Sequence, residues 1–405
     1  MSNLDSPDHP GMAALLGAYR APHALYDQAR ARDGVAWDPA GNCWLVTDHR
    51  AVRSILEDRR FTSDLRFAAQ GRARPARRSF IQEAVEKQII FSDGPDHHGA
   101  QRVILQESSR KMQELSGWIR ELATGLLQPL PARGGFDLVA DFALPYALQT
   151  VCRVFSIPAD DPGRLAKLAS GSSNMADLTS GYLNVRMQEI TWFGDFFREM
   201  VAARKASPAD DLVSAFLSAG TFEDDENLVI NCMAAFGAGR VTTQKLISDG
   251  VPRLFPEWSA WREAVAANPG VSRRLTEELL RLVTPTRHLG RHATEDVDLS
   301  GEWGPGHLIR TGQRVILFLE AANRDPARFP DPHELKWERQ PNPHLAFGHG
   351  PHRCPGASIA RAEIQIALET LLATFETLGP NPSVPPVWEP NPNLGGYKSY
   401  PCLCS

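Results

Sequence analysis

The chain has 405 residues, 42% of them hydrophobic and 22% charged, with a formal net charge of −5. That length is ample for a large buried core. The mild charge leaves no footprint for nucleic acid or a membrane surface, and no run of about 18 apolar residues marks a transmembrane helix. The polar, acidic start lacks the basic-then-apolar plan of a secretion signal. Six scattered cysteines, Cys43, Cys152, Cys232, Cys354, Cys402 and Cys404, contain no Cys-x-x-Cys pair, which suits a reducing cytoplasm and not a disulfide framework.

In chain order, Leu15, Tyr19 and Tyr26 open a helical segment. Val35–Trp37 and Cys43–Thr47 are short β-favouring runs, joined by Asp38-Pro39-Ala40-Gly41-Asn42 as a hairpin-like turn. Ala51–Leu56 reads as a helix that stops before Phe61. Residues 62–92 are weakly patterned and carry Arg66, Arg72, Arg74, Arg77 and Arg78, the pattern of a solvated loop. Asp93-Gly94-Pro95-Asp96-His97 is a turn into a helix, where a histidine ordinarily caps or faces water. Residues 135–205 show several helical patterns broken at Pro145, Pro158 and Pro162, with Ser170-Gly171-Ser172-Ser173-Asn174 as a small-residue loop among them.

Asn227–Ile247 reads as one long, mostly apolar helix with Gly237 and Gly239 inside it. Each glycine costs a helix interior about 1 kcal/mol relative to alanine, so the pair calls for a bend, a close approach or tight helix packing. Leu275, Leu279, Leu282 and Val283 stripe a further helix, on which Glu278 and Arg281 share a face. A last stripe, Ile364, Leu368, Leu371, Leu372 and Phe375, starts behind the loop Phe347-Gly348-His349-Gly350-Pro351-His352-Arg353-Cys354-Pro355-Gly356. Gly348 and Gly350 allow turns that side chains would block and let a flat ligand approach, and a helix N-terminus favours a thiolate at Cys354. From these residues alone, Cys354 can be a nucleophile with His349 or His352 as base, a metal ligand, or inert.

The ten-residue string resembles the haem-thiolate loop of the cytochrome P450 family, with each defining position filled. Two further stretches in the right order strengthen the resemblance. Phe236-Gly237-Ala238-Gly239-Arg240-Val241-Thr242-Thr243 is similar to the family's distal helix, and Glu278-Leu279-Leu280-Arg281 to its buried Glu-x-x-Arg pair, with Arg339 at the place of the joining arginine. The resemblance runs from about Leu15 to the end. It implies a single domain over 1–405, mainly α with small β-sheets and a small β-rich N-terminal region at about 15–60. It places haem b between the distal helix and the cysteine-loop helix.

The same resemblance implies Cys354 as the axial thiolate of the iron. His97, Arg291 and His352 become contacts of the haem propionates, and Phe347, Gly348, Gly356 and Ala238 become cofactor-lining positions. Gly239, Arg240 and Thr242 fall at the distal catalytic place. The arginines of 62–92 lie where the family caps its substrate pocket, and Ser170–Asn174 at its mobile lid. Two positions depart from the family: Gln101 stands where a further propionate arginine is usual, and Val241 replaces the acid before the distal threonine. Valine cannot relay a proton.

With no reductase sequence in the chain, the resemblance implies a separate ferredoxin and ferredoxin reductase, a small-molecule substrate and a cytoplasmic enzyme. The string around Phe236–Thr243, with Phe318–Asn323 and Pro341–Phe347, looks most like the branch that couples aromatic cyclic dipeptides. That implies C–C or C–N coupling of a Trp- or Tyr-containing diketopiperazine, a reaction that does not want oxygen rebound. A conventional O2-dependent hydroxylase or epoxidase of another natural product is the alternative. A peroxide-driven enzyme with Arg240 on a substrate carboxylate, and a haem sensor or carrier, are further readings.

Overall fold

The computed structural model describes residues 9–68, 84–181, 185–303 and 306–405. Arg72, Arg74, Arg77 and Arg78 lie outside the described residues, as does the side chain of Arg66. The chain forms two compact units. The first comprises Met1–His98, Thr286–Glu334 and Pro343–Cys354; the second comprises Gly99–Pro285, Leu335–Asn342 and Pro355–Ser405. Among the described residues no helix is long and apolar enough to cross a membrane.

The first unit is built on a five-stranded sheet. Its strands are β1 (Val35–Asp38), β2 (Cys43–Val46), β3 (Phe61–Thr62), β4 (His288–Ala293) and β5 (Arg314–Phe318), in the order β1-β2-β5-β4-β3. The expected hairpin is present, with Asp38 opposite Cys43 and Val35 opposite Val46. Alternation along the strands fills two cores. Trp44, Val46, Val315 and Leu317 pack with Ile55 and Leu56 of helix α1 (His49–Glu57). Cys43, Leu45, Ile316 and Phe318 face the other way, onto Leu15 and Tyr26. Asp48 caps α1, its carboxylate accepting from the Ala51 amide at 2.8 Å.

The second unit is helical. Its main elements are α2 (Pro95–Leu127, whose first turn belongs to the first unit), α3 (Leu144–Val154), α4 (Pro162–Thr179), α5 (Met187–Ala206), α6 (Asp225–Gly250), α7 (Gly270–Val283) and α8 (Ala357–Thr374). α6 is the hub and packs against α3, α4, α5, α7 and α8. Phe193 and Phe197 of α5 meet Phe236 edge-on, with ring centroids 5.6 and 5.8 Å apart. The prolines act as helix starts, with Pro145 and Pro162 in first turns, where a missing amide hydrogen costs nothing.

Ser170–Asn174 is a correction. The stretch is not a loop but the interior of α4. Its small polar residues return their side chains to the helix: Ser172 Oγ donates to Leu168 O at 2.7 Å and Asn174 Nδ2 to Ser170 O at 2.9 Å. Gly171 sits where a Cβ would be 2.7 Å from Phe193 Cβ, so glycine is demanded by packing on α5 and not by a turn. Close approach bears on only one glycine of α6: a Cβ on Gly239 would lie 3.2 Å from Val151 Cγ2, whereas one on Gly237 would meet Ser172 O at an ordinary 3.4 Å.

Glu278 and Arg281 are fully buried on α7. Arg281 Nε and Nη2 donate to the two carboxylate oxygens at 2.9 and 2.7 Å. The Lys336 amide (3.0 Å), Arg339 Nε (3.2 Å) and Asn342 Nδ2 (3.2 Å) donate to the same carboxylate. Burial works against the charge on Glu278, yet the bonds from Arg281 prevail and hold its pKa below the usual range. Glu278→Ala leaves a buried guanidinium without its counter-ion. It is expected to cost about 3–5 kcal/mol of unfolding free energy, read by denaturant titration. Truncating Asp160, which pairs with Arg164 at the surface, should leave the midpoint unchanged within error.

Candidate functional site

The cysteine loop belongs to the first unit. Gly348 and Gly350 have φ of +67° and +68°, in the left-handed region that glycine tolerates. At Gly350 the demand is also steric, because a Cβ there would lie 2.4 Å from Leu56 O at the end of α1. Between these turns and Gly356 the chain reverses, and the Cys354 amide donates to Phe347 O at 2.9 Å. The Cys354 side chain is exposed, whereas Cys43, Cys152, Cys232 and Cys402 are buried. Desolvation raises the thiols of those four, to about 11 for Cys43 and about 12 for Cys152 and Cys402, and higher still for Cys232. Burial thus keeps these four protonated and unreactive. His349 Nε2 is engaged by Glu57 and Arg53.

Beside the loop the structure gathers three basic side chains expected from scattered parts of the sequence. His97 is buried, its Nδ1 2.7 Å from Ile89 O and its Nε2 3.3 Å from Pro351 O. Its ring lies against that of His352, with centroids 3.9 Å apart. His352 Nε2 is 2.6 Å from Asp93 Oδ1. Burial lowers the pKa of His352, against the pull of the Asp93 carboxylate. Arg291, on β4, is only 5% exposed. Its Nη1 donates to Gly290 O at 2.8 Å, and among the described residues no carboxylate makes an ion pair with it. Desolvation brings its pKa down to about 10, opposed by the charge of Asp93. A buried guanidinium in that state has capacity for an incoming carboxylate.

The distal stretch belongs to the second unit. Most of α6 is buried, but Ala238 and Gly239 are exposed in its middle. This pair forms a small-residue face that a flat group could approach. Thr242 Oγ1 donates back to Ala238 O at 2.7 Å. Arg240 turns the other way and is 2% exposed. It donates to Ser172 Oγ (2.8 Å), Ser173 Oγ (2.6 Å) and Gln244 Oε1 (2.5 Å). Burial lowers its pKa to about 10, with Glu389 and Asp177 opposing.

The sequence model of the cytochrome P450 family matches residues 273–396. The chain is 30% identical over 378 residues to 20-oxo-5-O-mycaminosyltylactone 23-monooxygenase of Streptomyces fradiae, covering 90% of this chain and 85% of that protein. The chain belongs to the cytochrome P450 family. It is also 33% identical to mycinamicin IV hydroxylase/epoxidase of Micromonospora griseorubida, over 81% of each chain. Its fold matches the crystal structure of P450BioI in complex with hexadec-9Z-enoic acid ligated acyl carrier protein. The TM-score is 0.84 at 27% identity, over 96% of this chain and 100% of that one.

The cofactor of a cytochrome P450 is haem b with an axial cysteine thiolate, and the residues of this P450 fit it. In the first unit an exposed cysteine sits in a glycine-turned loop, and among the described residues no carboxylate makes an ion pair with the buried Arg291; in the second unit α6 bares two small residues. Two polar groups escaped sequence reasoning. Asp93 was read only as part of a turn. Glu363, on α8, stands beside the apolar stripe that starts at Ile364 and carried no reading of its own. Glu363 is buried, and its Oε2 accepts from Thr243 Oγ1 at 3.0 Å. The signal available for Glu363 was its place two positions before Gln365 and one before Ile364, on the buried side of the helix. Desolvation raises its pKa to about 8, with the hydroxyls of Thr243 and Thr150 opposing.

At neutral pH Glu363 is therefore a neutral acid inside the protein. Its folded pKa lies above the ordinary value of 4.5, so its contribution to stability is full below that value and is lost as pH rises towards 8. Glu363→Gln removes this slope. The difference in Tm, variant minus wild type, is expected to grow from about pH 5 to about pH 8, read by differential scanning calorimetry.

Proposed function

We propose that this P450 inserts oxygen from O2 into a small-molecule natural product. In this reading Cys354 is the axial thiolate, and His97, Arg291 and His352 receive the haem carboxylates. The observation that carries the assignment is Cys354 itself, the exposed thiol of a loop whose two glycines hold positive φ. The hydroxylase and epoxidase relatives favour oxygen insertion over radical coupling. When bound, the haem supplies the oxidant from O2 and two electrons. We assign those electrons to a separate ferredoxin and its reductase.

The chain's own residues do the rest. The Phe347–Cys354 turn fixes the sulfur, and Arg291 together with the two histidines neutralises and orients the carboxylates. Ala238 and Gly239 leave room beside the distal helix. Arg240, engaged by two serines and Gln244, ties α6 to α4. Val241 holds no proton, and Thr242 spends its hydrogen on Ala238 O.

That last observation favours a second reading, the coupling of an aromatic Trp- or Tyr-containing diketopiperazine, in which hydrogen abstraction is not followed by oxygen insertion. Incubation with redox partners, NADPH and a panel of macrolides and cyclic dipeptides separates the two. A product heavier by one oxygen supports insertion, and a dimer mass supports coupling.

Cys354→Ala is expected to abolish the thiolate band of the reduced carbon monoxide spectrum, and retention of that band would sink the assignment. General acid–base steps contribute about 10²–10⁴-fold. With no acid at position 241 to work with, Thr242→Ala is expected to lower product formation per NADPH by less than about tenfold.

A further inference from the structure

Pro343–Leu345, where the cysteine loop begins, has no regular secondary structure, so its main-chain groups need partners from elsewhere. Two side chains of the first unit meet them. His49 Nε2 lies 3.0 Å from Pro343 O, and the Leu345 amide donates to Asn323 Oδ1 at 2.6 Å. A carbonyl oxygen can only accept, so Nε2 of His49 carries the hydrogen. Burial lowers the pKa of His49, and a neutral ring makes this bond without gaining a proton. His49, Asn323 and Leu345 are all buried, so water cannot readily replace a lost partner.

Both side chains stand on rigid supports. β2 and β5 are neighbouring parallel strands, with Val46 opposite Leu317. His49 opens α1 shortly after β2 ends, and Asn323 closes the short helix Leu319–Ala322 that follows β5 directly. The two groups thus leave the sheet from the same end of one strand pair. The His49 amide donates to Asp325 Oδ2 at 2.9 Å, and its ring meets the buried Phe329 ring edge-on, with centroids 5.5 Å apart. The Asn323 amide donates to Leu319 O at 2.9 Å.

From these anchors the hydrogen bonds run on towards the sulfur. Leu345, held at its amide by Asn323, accepts at its carbonyl from the Gly348 amide at 2.8 Å. Phe347, between them, accepts from the Cys354 amide at 2.9 Å. Further along, Gly350 presses on Leu56 O, so α1 meets the loop near both of its own ends. Groups outside the ligand shell that fix a ligand's direction are worth about 10–100-fold in metal affinity.

We propose that His49 and Asn323 are positioning residues for the Cys354 sulfur, acting through the main chain of the loop at Pro343 and Leu345; this rests on the reading of Cys354 as the axial thiolate. The test times the decay of the thiolate band in the reduced carbon monoxide complex of the haem-loaded enzyme, at one fixed temperature. His49→Phe keeps a ring against Phe329 and removes the donor. It is expected to speed the decay about tenfold, as is Asn323→Ala. His49→Gln, which carries an N–H at similar reach, is expected to restore most of the wild-type lifetime. Val35→Ala, in the same core but on the edge strand β1, controls for general destabilisation. It is expected to lower the Tm and leave the decay near the wild-type rate. If Asn323→Ala does not fold, Asn323→Ser, whose hydroxyl is too short to reach the Leu345 amide, is read by the same rule.

Decay in His49→Phe or in the Asn323 variant no faster than in Val35→Ala would overturn the role given to that residue. Equally fast decay in His49→Gln and His49→Phe would make ring packing the cause and would also overturn the role of His49. A wild-type enzyme with no thiolate band at all would overturn the reading of Cys354 beneath the proposal, a result distinct from both of these.

Discussion

One carboxylate, that of Glu278, holds together the part of the second unit from which the cysteine loop departs. It accepts from Arg281 at both oxygens and from Lys336, Arg339 and Asn342 besides. The segment Leu335–Asn342 is thereby fixed to α7, and the next residue, Pro343, starts the stretch that ends at Cys354. A buried charge of this kind adds little net stability compared with a well-packed apolar group, but it is intolerant of a missing partner. That intolerance is useful where a short segment without regular structure must adopt one path.

Burial is used in three different ways around the site. At Glu278 it is overcome by donors, and the carboxyl stays ionised. At Glu363 it prevails, and the carboxyl is neutral. At Arg291 it is opposed only by the charge of nearby Asp93, and among the described residues no carboxylate makes an ion pair with it. The first case builds a scaffold, the second sets a neutral acid against Thr243 of α6, and the third leaves a buried guanidinium with its pKa lowered.

Much of this was legible in the sequence wherever the evidence was periodic or local. The stripe on α7 and the three-residue spacing of Glu278 and Arg281 placed both on one helix face, and the hairpin at Asp38–Asn42 followed from turn chemistry. The positive φ of Gly348 and Gly350 was foreseeable from their place around the cysteine. The Ser170–Asn174 stretch misled because serine, glycine and asparagine favour turns when local propensity decides. Packing of Gly171 on Phe193 decided instead, and the serine and asparagine side chains found acceptors within α4. Arg240 was read as facing chemistry, yet its guanidinium runs into serines of α4 that lie some 67 and 68 positions away in the chain.

The sequence by itself determined the hairpin, the stripes of α7 and α8, the family and its cofactor, because these rest on spacing and on a contiguous loop. Only the tertiary structure decided which charges are satisfied. It joined Asp93 to His352 across 259 positions and Thr243 to Glu363 across 120. It also left Arg291, among the described residues, without an ion-paired carboxylate. Hydrogen bonding and desolvation depend on neighbours in space, and no periodicity along the chain encodes them.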